Sequence, residues 1–153
     1  MDPELRAVLD RQEIIDVSIR YATALDTRDW ALLRSCFMPD AVGQYDTIGN
    51  LEGYVATHEG YDAIEQLCQA ALTSLDASQH LLANHVVEIA GDEGTVTLYF
   101  QAQHVRSSAP GGSNYIIAGR YQHRVVRTDE GWKIVHLHLS AIWNEGNPAV
   151  LAI

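Results

Sequence analysis

The amino-acid sequence predicts an α+β domain in which three helices from the N-terminal half pack on one face of a curved, mixed but mostly antiparallel sheet. Three observations lead there. Apolar residues near the start recur every three to four positions, as one face of a helix requires. The second half divides into four long segments that alternate or run apolar, as strands do. The links between those segments are short and turn-forming, which joins strands to antiparallel neighbours.

Over residues 5–25 the apolar positions Val8, Leu9, Ile14, Ile15, Val17, Ile19, Ala22 and Leu25 define a long first helix. Thr27-Arg28-Asp29 interrupts it. Asp29 can cap a second helix whose apolar side is Trp30, Leu32, Leu33, Cys36 and Phe37, and Pro39 is expected to stop it. The two helices meet at Asp26. An extended pair at 41–45 and 51–55 brackets the turn-prone Gly49-Asn50, and 61–72 reads as the third helix. Strands follow at 79–89, 95–105, 115–127 and 132–143. Their turns are Gly91-Asp92-Glu93-Gly94, Pro110-Gly111-Gly112-Ser113 and Asp129-Glu130-Gly131.

The chain has 153 residues, 47% hydrophobic and 20% charged, which fits one domain over 1–153 with its own core. A formal charge of −10, with ten scattered Lys and Arg, disfavours nucleic-acid binding. No apolar run is long enough to span a bilayer, and the first residues are charged where a signal peptide needs an apolar centre, so the expected location is cytoplasmic. Cys36 and Cys68 lie among apolar neighbours without CxxC spacing and read as buried thiols.

Chemistry centres on a few side chains. Asp26 ends the first helix, where the dipole makes an acid unfavourable. It is either a loop acid bonding nearby amides or half of a functional pair. His80, at the start of a long strand, can reach a carboxylate on a helix packed across the sheet and would then be a general base; by itself it would be a hydrogen-bonded or surface histidine. Strict alternation places Leu82, Asn84 and Val86 on its side and Leu81, Ala83, His85 and Val87 on the other. His104 shares parity with Val96, Leu98, Phe100 and Ala102, so it faces the apolar side and needs a partner or a purpose. Tyr21 and Tyr45 either donate to a substrate oxygen or pack with their hydroxyls at a wet edge. His136 and His138 read as the polar face of the last strand. His80 and His85 are five apart and expected to point oppositely, so no metal is expected. No G-x-S-x-G, Walker-type loop or G-x-G-x-x-G after a strand is present, and no cofactor is expected.

The run Tyr21-Ala22-Thr23-Ala24-Leu25-Asp26-Thr27-Arg28-Asp29-Trp30, then Ser78-Gln79-His80, then Gly131-Trp132-Lys133-Ile134, resembles the SnoaL-like group of the nuclear-transport-factor-2-like superfamily. An aspartate ahead of R-D-W combined with S-Q-H at a strand start is similar to scytalone dehydratase. The resemblance covers nearly the whole chain. It implies a cone-shaped, cystatin-like fold enclosing a pocket, with Asp26 orienting His80 while Tyr45 and His104 hold a water or carbonyl. Tyr21 stands where bile-acid dehydratases of this fold carry a tyrosine, and hexachlorocyclohexane dehydrochlorinase uses a similar Asp-His dyad. The sequence departs from scytalone dehydratase at Leu25, Gly119 and Tyr121, and Leu137 lies where many relatives have arginine.

The expected function is therefore a cofactor-independent lyase of the dehydratase kind. His80 takes a proton beside a carbonyl, Tyr21 or Tyr45 stabilises the enolate, and His104 protonates the departing hydroxyl. An isomerase or polyketide cyclase would use the same first step. A non-catalytic binding module and a dioxygenase small subunit share the fold. The expected partners are a small apolar or aromatic carbonyl-containing substrate and further copies of the chain, as a dimer or trimer, because the strands' second face and residues 148–153 are apolar.

Overall fold

The computed structural model describes residues 1–46 and 57–151. The expected strand at 51–55 and the Gly49-Asn50 turn lie outside the described residues. Helix α1 spans Pro3–Thr27. Asp2 caps it by accepting from the amides of Glu4 and Leu5, and Pro3 supplies a preset φ where no amide donor is needed. Ile14, Val17, Tyr21, Ala24 and Leu25 form its buried stripe. Arg28 ends it in the left-handed region, at φ 54°. Its guanidinium offsets that strain by donating to the carbonyls of Leu72 (3.1 Å) and Leu75 (3.0 Å).

Helix α2 spans Trp30–Ser35 and is capped by Asp29, as expected, through the Leu32 amide at 2.9 Å. It stops short of Pro39. Strand β1, Phe37–Asp46, begins instead, and Pro39 lies exposed within it. Pairing overrides the apolar run here: Ile134 donates its amide to the Cys36 carbonyl at 2.8 Å, and Phe37 pairs with Ile134. Pro39 is tolerated because it falls between Phe37 and Val42, where the ladder slips register.

Strand β2 (Thr57–Glu59), helix α3 (Tyr61–Leu72) and strands β3 (Ala77–Ala90), β4 (Glu93–Val105), β5 (Asn114–Thr128) and β6 (Gly131–Gly146) complete the regular structure of the described residues, followed by a 3₁₀ turn at Pro148–Val150. The sheet order is β2-β1-β6-β5-β4-β3. Every neighbouring pair is antiparallel except β1 with β6. Helix α1 lies over β3 and α3 over β1. Ile14, Leu33, Ile64, Val96, Ile134 and Leu137 are fully buried between helices and sheet. No described helix is long and apolar enough to cross a membrane.

The far end of this core is closed by polar groups. Asp10 on α1 is 4% exposed and takes two hydrogen bonds from Arg127, at 2.6 and 2.8 Å, and one from the Trp132 indole at 3.2 Å. The Arg127 guanidinium also lies 4.5 Å from the Trp132 ring centre.

Strand β3 departs from strict alternation. Ala83 pairs with Tyr99 but Val86 with Thr97, so β3 carries one extra residue there, and Asn84 turns the chain with φ 56°. Such a bulge reverses the parity of everything after it. Ser78, His80 and Leu82 face the helices, and beyond the bulge His85 and Val87 do so, while Val86 is 58% exposed on the outer face. The expectation that Asn84 and Val86 share His80's side, with His85 opposite, is therefore corrected. His136 and His138 do lie on the outer side of β6, where His138 Nε2 contacts Asp46 Oδ2 at 2.5 Å.

Candidate active site

Asp26 sits one residue before the end of α1, and α1 lies over β3, so its carboxylate arrives at the start of that strand. Ser78 and His80 are two apart on β3 and therefore share the face it meets. Asp26 Oδ1 accepts from His80 Nδ1 at 2.6 Å and from the Ser78 hydroxyl at 3.1 Å, and Oδ2 accepts the His80 backbone amide at 2.8 Å. Burial pushes the Asp26 carboxyl up, but the hydrogen bonds and charge of His80, with the Ser78 bond, outweigh it and hold it below the usual carboxylate value. An ionised carboxylate only accepts, so His80 Nδ1 carries a proton, and in the neutral form of the ring the lone pair is at Nε2. The His80 side chain is 5% exposed and lines a pocket.

His104 on β4 is paired directly opposite Ser78, and its ring centre is 5.8 Å from that of His80, at 87°. Its Nδ1 lies 3.2 Å from the Tyr115 carbonyl. A carbonyl cannot donate, so this nitrogen also carries the proton and Nε2 is again an acceptor. Burial, reinforced by His80, pulls the His104 imidazole down to about 4, so it is neutral near neutral pH.

Tyr21 and Tyr45 line the same pocket with Tyr121, amid the apolar side chains of Leu25, Phe100, Ile117 and Leu139. The empty space is about 650 Å³, counting its open mouth. The Tyr21 ring packs edge-on against Tyr121 with centres 5.6 Å apart. Burial raises all three phenols above the ordinary tyrosine value, so they remain protonated donors. Behind Tyr21, His123 is fully buried, bonds Ser18 Oγ at 2.9 Å, and is pulled down by burial to about 3.

The structure thus gathers Tyr21, Tyr45, His80 and His104 around one pocket, with Asp26 behind His80. Sequence reasoning quoted Ser78 only as part of a motif and gave it no role, although its position two residues before His80 on one strand face was a signal. It also took Tyr121 only as a departure from a relative, although Tyr121 shares parity with the buried Tyr115 and His123 on β5. Among the described residues no group of three or more His, Cys, Asp or Glu is arranged to hold a metal ion.

The SnoaL-like domain family matches residues 6–138. A Penicillium crustosum protein named terrestric acid biosynthesis cluster protein E is 33% identical over 150 residues, which covers 94% of this chain and 90% of that one. The crystal structure of the Kfla4162 protein from Kribbella flavida superposes with a TM-score of 0.83 at 25% identity, covering 95% of this chain and 98% of the other. A type 2 hexachlorocyclohexane dehydrochlorinase superposes with a TM-score of 0.78 at 20% identity, covering 93% and 91%, a likeness of fold.

Proposed function

The chain belongs to the SnoaL-like family, and from that premise we propose that it is a cofactor-independent lyase that eliminates water from a small apolar or aromatic hydroxy-carbonyl compound. The observation that carries this reading is His80, its Nδ1 proton held by Asp26 and its Nε2 lone pair set in an apolar pocket beside protonated phenols. The names of the relatives, one from a biosynthesis cluster and one a dehydrochlorinase, favour conversion of small molecules.

In this mechanism His80 Nε2 takes the proton from the carbon next to the carbonyl. The electron pair moves into the carbonyl, and the oxyanion receives a hydrogen bond from Tyr45 or Tyr21. Asp26 stabilises the imidazolium that forms. As the enolate collapses, the C–O bond breaks and the imidazolium returns its proton to the departing hydroxyl, which leaves as water and restores the base. His104 takes a different part from the one expected from sequence. A neutral imidazole at about 4, with its proton committed to Tyr115, is a poor acid but a good acceptor, so it receives the substrate's hydroxyl hydrogen and orients the leaving group.

The test is a panel of cyclic β-hydroxy ketones, followed by the rise of conjugated-enone absorbance. His80→Ala is expected to lower the rate about 10²- to 10⁴-fold and Tyr45→Phe about 10²-fold. Turnover that survives His80→Ala undiminished would reject the proposal. The same lone pair can return the proton to a different carbon of an unsaturated substrate, so conversion of a β,γ-unsaturated ketone to its conjugated isomer, with no turnover of the β-hydroxy ketones, would identify an isomerase instead.

A further inference from the structure

The carboxylate of Asp26 is held by three donors, and they are not equivalent. Oδ2 takes the His80 backbone amide, a donor fixed by the sheet. That bond with the 2.6 Å imidazole bond already sets the plane of the carboxylate. The Ser78 hydroxyl goes to Oδ1, the same oxygen that holds the imidazole proton. Two donors on one oxygen compete for its electron density, so each weakens the other. The serine has one hydroxyl proton, and here it is given to Asp26. Its place is also particular: Ser78 is two residues from His80 on one strand face and directly opposite His104 in the ladder.

Resting on the Asp26–His80 reading above, we propose that Ser78 is a positioning residue that sets how tightly Asp26 holds the His80 Nδ1 proton, and so how basic the pocket-facing Nε2 is. Without the hydroxyl, Oδ1 serves the imidazole alone and draws the Nδ1 proton closer. With it, part of the charge is spent on Ser78 and the dyad is moderated. A bond that served only folding would alter thermal stability and leave the Nδ1 proton as it was.

Proton NMR of the low-field His80 Nδ1–H resonance tests this without any substrate, in the wild-type chain and in Ser78→Ala, Ser78→Thr, Ser78→Cys and Asp26→Asn. The expected result is a downfield shift in Ser78→Ala, a smaller one with the weak thiol donor of Ser78→Cys, and the wild-type position in Ser78→Thr, which restores the hydroxyl. An unmoved or upfield resonance in Ser78→Ala, with a wild-type signal that Asp26→Asn abolishes, would overturn the proposal and leave the dyad standing. A wild-type chain without any Asp26-dependent Nδ1 resonance would overturn the dyad and this inference together. If Ser78→Ala does not fold, the comparison of Ser78→Cys with Ser78→Thr decides the same question.

Discussion

Replacing Asp26 by asparagine tests the dyad most sharply, because the surrounding bonds dictate how the new side-chain amide must sit. The His80 backbone amide is a fixed donor 2.8 Å from Oδ2, so the side-chain oxygen in Asp26→Asn has to occupy that place. The side-chain nitrogen then takes the place of Oδ1 and points its protons at Ser78 Oγ and His80 Nδ1. Ser78 can turn its hydroxyl and accept. His80 can accept at Nδ1 only by moving its proton to Nε2, which puts a donor where the pocket needs a lone pair. All three hydrogen bonds survive in this arrangement, so the expected loss of stability is about 1 kcal/mol. Presenting the wrong tautomer costs about 10⁴-fold in rate, equivalent to about 5 kcal/mol of barrier. Nitrogen-15 NMR of the imidazole reads the tautomer directly: Nε2 is expected to carry the lone pair in wild type and the proton in Asp26→Asn, with the elimination assay reading the consequence. A variant that keeps the wild-type tautomer, or loses less than about tenfold in rate, would refute the reasoning.

Further expectations follow from neighbouring geometry. His104 should titrate near 4 by NMR in the folded chain, and a midpoint above the ordinary histidine value of 6.5 would contradict its role as a neutral acceptor. The Arg127 hydrogen bonds, helped by Trp132, hold Asp10 at about 2 instead of 3.8. Because the folded value is the lower one, this stability is fully present above about 3.8 and is lost as the pH falls through about 2. Its size is about 1–2 kcal/mol after discounting for solvent reaching Arg127, and chemical denaturation from about pH 5 downward should show a weaker acid dependence in Asp10→Asn than in wild type. Gly119→Ala would place a Cβ 2.1 Å from the Ser140 carbonyl oxygen and 2.9 Å from the Ala141 Cα, both backbone, so a loss of about 3 kcal/mol is expected in thermal unfolding. A melting temperature unchanged by that substitution would mean that β5 and β6 lie further apart than described.

Which parts of the molecule were legible in the sequence follows from whether the deciding interactions are local. Helix α1 was legible because its stripe from Ile14 to Leu25 repeats with the helix period, and Asp29 was legible as a cap because capping is settled within three residues. The end of α2 was not, since Phe37 leaves the helix to pair with Ile134, in the last strand of the chain. Asp26 and His80 could be raised as a possible pair from the elements that carry them, but the resemblance to a family was needed to favour it, because no local pattern announces a contact between residues 54 apart. The bulge in β3 shows a harder case. Leu81, Leu82, Ala83, Val86 and Val87 put apolar residues on both parities, so alternation carried no information about face, and a single residue, Asn84, reverses the parity in mid-strand. Asparagine is one of the few side chains at ease at φ 56°, which makes Asn84 the physical cause of His85 facing inward and leaves Val86, not His85, on the outer surface. Asn84→Val, with a β-branched residue at that φ, should therefore destabilise the chain by about 1–3 kcal/mol or force the strand to slip, whereas Asn84→Gly should preserve both stability and the burial of His85.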